Sequence, residues 1–357
     1  MITLIYPFRN REIDRIKRSL ESLVTQTNSD FNVIFIDYGS KIETSDAVQN
    51  LLKNFNFVSY EYLYTEYQPW NKSKAVNYAL KKINTDYFFV SDVDMIYSQD
   101  FIEIAHKIKD LSKVTYFQVG FLSEFESNKN ILFNECKINF FSDEGATGMS
   151  IFPTKVVKRV NGFDEFFHFW GSEDTDLHNR LKILGISIVF YSEKTLMLHQ
   201  WHKNYRKRET KKLNLELQLS QTVEMNQLHM FYNLDNNVTK VNIAKYGEVI
   251  SQTEFEKLKN HQTIQLSDEK SKIDYFLFNQ LPNSHNEIIA VRICKNKIQN
   301  NIKHKLKKLL RKKVPQFYSL KEINDLFLKH IVSFYHQLPY LYYISSDLET
   351  IYFKIQK

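Results

Sequence analysis

The 357-residue chain is 43% hydrophobic and 15% aromatic, ample for a core in one large or two modest domains. Its two cysteines, Cys136 and Cys294, exclude a disulfide framework and a thiolate metal site, and a reducing compartment is expected. The net charge of +7 is local: residues 303–313 hold seven Lys/Arg (303, 305, 307, 308, 311, 312 and 313) and no acid, and without those seven the 48 basic residues fall to 41, equal to the 41 acidic ones.

Residues 1–10 lack a basic head followed by a long apolar run, so no signal peptide is expected. No stretch of about 18 uninterrupted apolar residues occurs, so no transmembrane helix is expected. The aromatic tract 331–344 is broken by His336, Gln337 and Pro339. The apolar run 2–6, ended by Pro7, predicts a buried strand. Ile13, Ile16, Leu20, Leu23 and Val24 then follow at helical spacing. A second strand is predicted at 33–36, ended by Asp37-Tyr38-Gly39-Ser40, and Val48, Leu51 and Leu52 indicate another helix. Residues 57–63 alternate like a strand, 75–80 are helical, and 87–90 form a third buried strand running into Asp92. Strand alternating with helix predicts a parallel α/β sheet, in which ligands bind beyond the carboxyl ends of the strands. Arg9, Asp37, Asp92 and Asp94 all fall there.

From 101 to 200 the pattern mixes: a strand at 115–121, a loop entering a strand at 145–152, a helix at 175–184, and strands at 186–191 and 195–199. A polar stretch at 233–237 precedes a lysine-rich, mainly helical region. The division expected is 1–235 and 236–357, and no internal repeat is evident.

Asp92-Val93-Asp94 places two carboxylates at a strand end, where both can reach one divalent cation, one directly and one through water. A solvated loop is the plainer alternative. His199 and His202 end another apolar run around Trp201, and mixed Asp/His ligation suits Mn²⁺ better than Ca²⁺. Arg9 and Arg11 flank Asn10 and suit a diphosphate, or a solvated turn. Asn71-Lys72-Ser73-Lys74 opens a helix and offers N–H groups and charge to an anion, or is an ordinary cap. In Trp170-Gly-Ser-Glu-Asp-Thr-Asp176, three carboxylates crowd four positions and repel one another. Leu177, Leu181 and Leu184 put them on a helix's first turn, where its dipole favours acids, so a capping role is the alternative. Trp170 offers a flat stacking surface, and Gly171 lets the backbone turn tightly.

Tyr6-Pro-Phe-Arg-Asn-Arg11, Trp70-Asn-Lys-Ser-Lys-Ala-Val-Asn77, Asp92-Val-Asp94, Gly148-Met-Ser150, Asn161-Gly-Phe163 and Trp170-Gly-Ser-Glu-Asp-Thr-Asp-Leu-His-Asn-Arg-Leu181 occur in order. Over residues 1–205 the set resembles the β-1,4-galactosyltransferase family and its bacterial relatives, chondroitin-polymerase-like and other family 2 glycosyltransferases. The resemblance implies a GT-A fold, a Rossmann-like mixed α/β sheet flanked by helices. It also implies a metal-dependent, inverting transfer from a UDP-sugar to a glycan or lipid-linked glycan in capsule or surface polysaccharide synthesis. It puts Pro7, Phe8, Arg9, Arg11, Asp37, Lys72, Lys74, Asp92 and Val93 at the donor. Asp94 becomes a metal ligand, with His199 (preferred) or His202, for Mn²⁺ or Mg²⁺. Trp170 and Gly171 would meet the acceptor sugar, Glu173 and Asp174 would face the acceptor as the catalytic residues, and Asp174 would be the general base. Asp37-Tyr38-Gly39-Ser40 departs from the commoner Asp-Asp-Gly-Ser. Gly145 stands where galactose-selecting relatives carry a bulky aromatic, which favours GalNAc over Gal. The alternatives are a UDP-GlcNAc or glucosyl-type transferase, or a non-catalytic glycan-binding relative.

Ile298, Ile302, Leu306, Leu309, Leu310 and Val314 share one helical face among lysines. Such a helix suits an anionic membrane surface, where each basic residue contributes about 1 kcal/mol. Otherwise it packs its stripe on the catalytic domain. Nucleic acid fits poorly, since the basic patch is single and lacks interleaved aromatics. The expected location is cytoplasmic, peripheral on the inner face of the cell membrane.

Overall fold

Short apolar runs make the strands of the first unit, and amphipathic helices cover them. The computed structural model describes residues 1–129, 132–203, 212–296, 302–310 and 312–357. The chain divides into two units: Met1–Glu66 with Asn71–Lys207 and Val223–Glu248, and Tyr67–Trp70 with Arg208–Thr222 and Val249–Lys357.

The strands of the first unit are β1 (Ile2–Phe8), β2 (Phe31–Asp37), β3 (Val58–Tyr62), β4 (Tyr87–Val90), β5 (Met95–Tyr97), β6 (Lys113–Phe117), β7 (Gly120–Leu122), β8 (Ile138–Phe141), β9 (Ser150–Pro153), β10 (Ser187–Tyr191) and β11 (Met197–His199). Its helices are α1 (Ile13–Val24), α2 (Ile42–Leu52), α3 (Lys72–Lys82), α4 (Phe101–Ile108), α5 (Glu124–Ser127), α6 (Thr154–Arg159), α7 (Glu173–Ile183) and α8 (Thr222–Asp235). A seven-stranded sheet runs β10-β6-β9-β4-β1-β2-β3, parallel except where β9 runs antiparallel to β4 and β6. Every residue of β1 is buried, as a strand covered on both faces requires. On α1, Ile16, Leu20 and Leu23 face Leu4, Tyr6, Val33 and Phe35 in one apolar core.

A four-stranded sheet, β5-β11-β7-β8, stands beside it. Residues 115–121, expected as one strand, divide between the two sheets at Gln118 and Val119. β5 and β8 are strands the sequence pattern did not suggest. Gly120 sits where a Cβ would lie 2.8 Å from Leu198 Cδ2 and 2.9 Å from Ile138 Cδ1, so its small size lets the strands close.

The second unit carries α9 (Gln252–Asn260), α10 (Lys270–Tyr275), α11 (Leu281–Asn283), α12 (Ile302–Leu309) and α13 (Leu320–His330). Its sheet, β12 (Ile264–Ser267), β13 (Ile288–Cys294), β14 (Tyr340–Ile344) and β15 (Thr350–Gln356), has the order β12-β13-β15-β14. Ser251/Glu254 and Ser319/Glu322 form capping boxes at α9 and α13. Residues 236–248 belong to the first unit, and 67–70 and 212–222 to the second. Among the described residues no helix is long and apolar enough to cross a membrane.

Candidate active site

The site is assembled at the carboxyl ends of β4, β1 and β2, which are neighbours in the sheet. Pro7 and Phe8 end β1 and are buried, and Val93 is also buried. Phe8 and Val93 join the apolar core, so only backbone from these positions can face a ligand. Asp37 ends β2. Its carboxylate accepts the Ser40 N–H at 2.7 Å and the Tyr60 hydroxyl at 2.9 Å. Burial raises its pKa, against those bonds and Arg9. Arg9 donates Nε to the Tyr38 carbonyl at 2.6 Å and Nη2 to the Thr65 carbonyl at 2.5 Å. Its guanidinium lies 4.9 Å from the centre of the Tyr38 ring. Tyr38, the residue that departs from the commoner Asp, thus supports Arg9 by a cation–π contact.

Asp94 meets His199 and His202 through strand register. β5 follows Asp94 directly and pairs antiparallel with β11, setting His199 opposite Met95. The Gln200 N–H donates to the Asp94 carbonyl at 3.1 Å. Asp94 Oδ1 lies 3.6 Å from His199 Nε2, and Oδ2 lies 3.4 Å from His202 Nε2. One ligand atom from each residue falls within 4.8 Å of the others. Asp94 Oδ1 is buried without a hydrogen-bond partner, an arrangement that costs free energy unless a cation completes it. Burial lowers the His202 pKa more than Asp94 raises it, favouring the neutral imidazole that ligates metal. One carboxylate and two imidazoles therefore fit a divalent cation of borderline softness. Arg11 is exposed and adds its charge to the field at Asp92 and His202.

A second charged group adjoins. Lys72, on the first turn of α3, lies 3.3 Å from Asp174 Oδ2, 3.5 Å from Asp92 Oδ1 and 3.8 Å from Glu173 Oε1. Burial disfavours its charge, but Asp174, Asp92 and Glu173 together raise its pKa. Burial also pushes Asp174 up to about 7, reinforced by Glu173 and Asp92 against the pull of Lys72. One ammonium cannot neutralise three carboxylates, so a proton is readily held among them. Asp174 Oδ1 is buried without a hydrogen-bond partner. A Cβ on Gly148 would lie 3.2 Å from Asp174 Oδ2, so Gly148 keeps space beside that oxygen.

The loop before α7 is bent left-handed: Phe169, Gly171 and Ser172 have φ of 64°, 102° and 74°. Trp170, between them, is 41% exposed. Asp176 is not part of the acidic group: it accepts from Arg180 Nε at 2.7 Å and from Asn233 Nδ2 at 2.8 Å, deep in the protein.

One expected residue, Lys74, lies elsewhere. Lys74 is buried with its ammonium 3.7 Å from Glu165 Oε2, on the side of α3 away from Lys72's partners. Residues two apart on a helix diverge by about 200°. Gly145 is exposed, and a Cβ there would meet only Asp143 Oδ1, at 3.1 Å. Glu165 and Asn226 were not singled out from sequence, and Asn71 and Gly148 entered only as members of motifs. Asn71 caps α3 through Lys74 N–H at 2.8 Å and donates to the Glu165 carbonyl at 2.8 Å. The capping Asn before Lys72 was its available signal.

Residues 3–148 match the family Glycosyl transferase family 2, and residues 129–203 match the N-terminal domain of galactosyltransferase. Every expected site residue lies within these spans. β-1,4-galactosyltransferase 5 of Danio rerio is 28% identical over 146 residues, 40% of this chain and 34% of that protein. The match thus spans about a third of that relative's length. Among solved structures, S. aureus TarS 1-349 in complex with UDP is 15% identical with a TM-score of 0.47, covering 97% of this chain and 94% of that one. GalNAc-T7 with UDP, GalNAc and Mn²⁺ is 12% identical with a TM-score of 0.49, covering 66% and 49%. The strand order, the position of the Asp-Val-Asp turn and the two sequence matches, which together cover residues 3–203, support a glycosyltransferase of family 2 type with a GT-A fold.

Proposed function

We propose that the chain transfers a hexose or N-acetylhexosamine from a UDP-sugar to a glycan acceptor, with inversion at the anomeric carbon and with Mn²⁺ or Mg²⁺ bound. The observation that carries this reading is the lysine bridge. Lys72 lies within 3.8 Å of Asp92, next to the Asp94/His199/His202 group, and of the Glu173/Asp174 pair. A group able to hold a leaving diphosphate and a group able to take a proton are thereby set side by side.

Asp94, His199 and His202 would hold the cation. When bound, it would neutralise charge developing on the departing diphosphate. Arg11 and Lys72 add positive charge on the same side. Asp174 removes the proton from the acceptor hydroxyl as its oxygen attacks from the face opposite the diphosphate. A carboxylate near pKa 7 is a stronger base than an ordinary one and is still ionised in useful amount. Trp170 offers its ring to the acceptor sugar. We assign GalNAc as the preferred donor sugar, on the space at Gly145, with UDP-Gal and UDP-GlcNAc as competitors.

The setting proposed is capsule or surface polysaccharide synthesis, on a glycan or lipid-linked glycan at an anionic membrane. What supports membrane contact is α12: Ile302, Leu306, Leu309 and Leu310 are all exposed, so this stripe is not packed away. Residues 297–301 and 311 of the basic tract lie outside the described residues. The test of the activity is UDP release from a panel of UDP-sugars with and without Mn²⁺. Release that depends on both sugar and metal supports it, and metal-independent transfer overturns the metal assignment.

A further inference from the structure

The helix α8 turns polar residues inward beside the buried Met230. Its exposed side carries Leu228 (70% exposed), Phe231 and Tyr232, while its buried side presents Asn226, His229 and Asn233 to the chain before and along α7. Placing polar groups inward costs free energy unless each has a partner, so their partners define what the helix face does. His229 Nε2 is 2.9 Å from Asp164 Oδ2, and Asn233 Nδ2 reaches Asp164 Oδ2 at 3.2 Å and Asp176 Oδ1 at 2.8 Å.

Asn226 is fully buried, at 0% exposure. Its Nδ2 donates to the carbonyl of His168 at 3.0 Å and to that of Trp170 at 3.1 Å. Both partners can only accept, so the NH₂ end of the amide must face them. Its Oδ1 has no hydrogen-bond partner. The two carbonyls flank Phe169, whose φ of 64° is costly for a bulky side chain. A buried amide spent wholly on the backbone of a strained loop holds that loop in one conformation.

We propose that Asn226 is a positioning residue for the acceptor side of the site. It pins the left-handed turn at Phe169, and so sets where Trp170 projects and how the chain enters α7. The proposal rests on the reading of Trp170 as an acceptor platform. Asn226 lies beyond residues 3–203, the span of the two family matches, in the part of the first unit that follows them.

The test uses the full chain with Trp70→Phe and Trp201→Phe, leaving Trp170 as the single tryptophan, excited selectively over the tyrosines. Asn226→Asp keeps the shape and replaces both donors by an acceptor. Asn226→Ala removes them without a buried charge and serves if the first variant does not fold. Either change should raise acrylamide quenching of Trp170 by about twofold. In the otherwise native chain, UDP release is measured with a panel of p-nitrophenyl β-glycosides as acceptors. Acceptor KM should rise about tenfold while donor KM moves less than about twofold, the loss expected for two neutral hydrogen bonds acting on one subsite. The double variant with Trp170→Ala should be no worse than Trp170→Ala alone. Unchanged quenching in the folded variants, or donor and acceptor KM rising together, overturns the proposal. A wild-type chain that releases no UDP from any donor defeats the reading of the function instead, and the quenching result then decides this one.

Discussion

With Asp174 as the proposed base, the rate should depend on pH in a way that separates its role from those of its neighbours. The base must be ionised to accept a proton, so kcat should climb as pH rises through about 7 and level off above it. Glu173 helps to hold that pKa up, so Glu173→Gln should move the acid limb to lower pH. Asp174→Asn should lower kcat by roughly 10²–10⁴, the span of general-base catalysis, and flatten the limb. A pH–kcat profile of the three proteins checks this, and a limb unmoved by Glu173→Gln would contradict the coupling. At this scale the sequence was legible where a residue's neighbours are consecutive. Glu173, Asp174, Asp92 and Asp94 could be named because motif and strand end coincide. Lys72 and Lys74 could not be separated, since both sit on the first turn of α3. Only the direction of the helix decides that one meets three carboxylates and the other meets Glu165. Asp176 sits on the first turn of α7 as its spacing predicts, but its partner Asn233 is 57 residues away, beyond any local pattern.

Short elements position the group proposed to hold the metal. β5 has three residues and follows the Asp-Val-Asp turn without a break, so nothing in its composition marks it as a strand. Its pairing with β11 is nonetheless what sets His199 beside Asp94, and the chain continuing past β11 adds His202. The longer apolar runs of β1, β2 and β4 were readable because burial on both faces requires continuous hydrophobicity. Since both histidines reach one carboxylate, each should contribute to affinity. Titration calorimetry with Mn²⁺ should give binding weakened at least tenfold by His199→Ala and by His202→Ala, and abolished by Asp94→Ala. Equal affinity in the wild type and His202→Ala would leave His199 as the sole imidazole ligand.

The second unit shows where composition misled and where it did not. A lysine-rich, polar sequence conceals the sheet β12-β13-β15-β14, whose inner residues, such as Ile293, Ile351, Phe353 and Ile355, are buried. The basic tract was legible as an amphipathic helix, and the structure keeps Ile302, Leu306, Leu309 and Leu310 at the surface, whereas Val314 lies past the helix and is half-buried. An exposed apolar stripe among lysines predicts salt-sensitive binding to anionic vesicles. In flotation, the full chain should rise with vesicles containing phosphatidylglycerol and not with neutral ones. Replacing Leu306 and Leu309 by Ser should reduce flotation severalfold, while flotation that persists unchanged would reject this helix as the contact.

The most direct measurement of the central claim is UDP release from UDP-GalNAc, UDP-Gal and UDP-GlcNAc by the wild type and Asp94→Ala, with Mn²⁺ and with a chelator. The account predicts release by the wild type with Mn²⁺ alone, fastest from UDP-GalNAc, and loss of at least 10² in Asp94→Ala. Full activity in the chelator, or in Asp94→Ala, would contradict it.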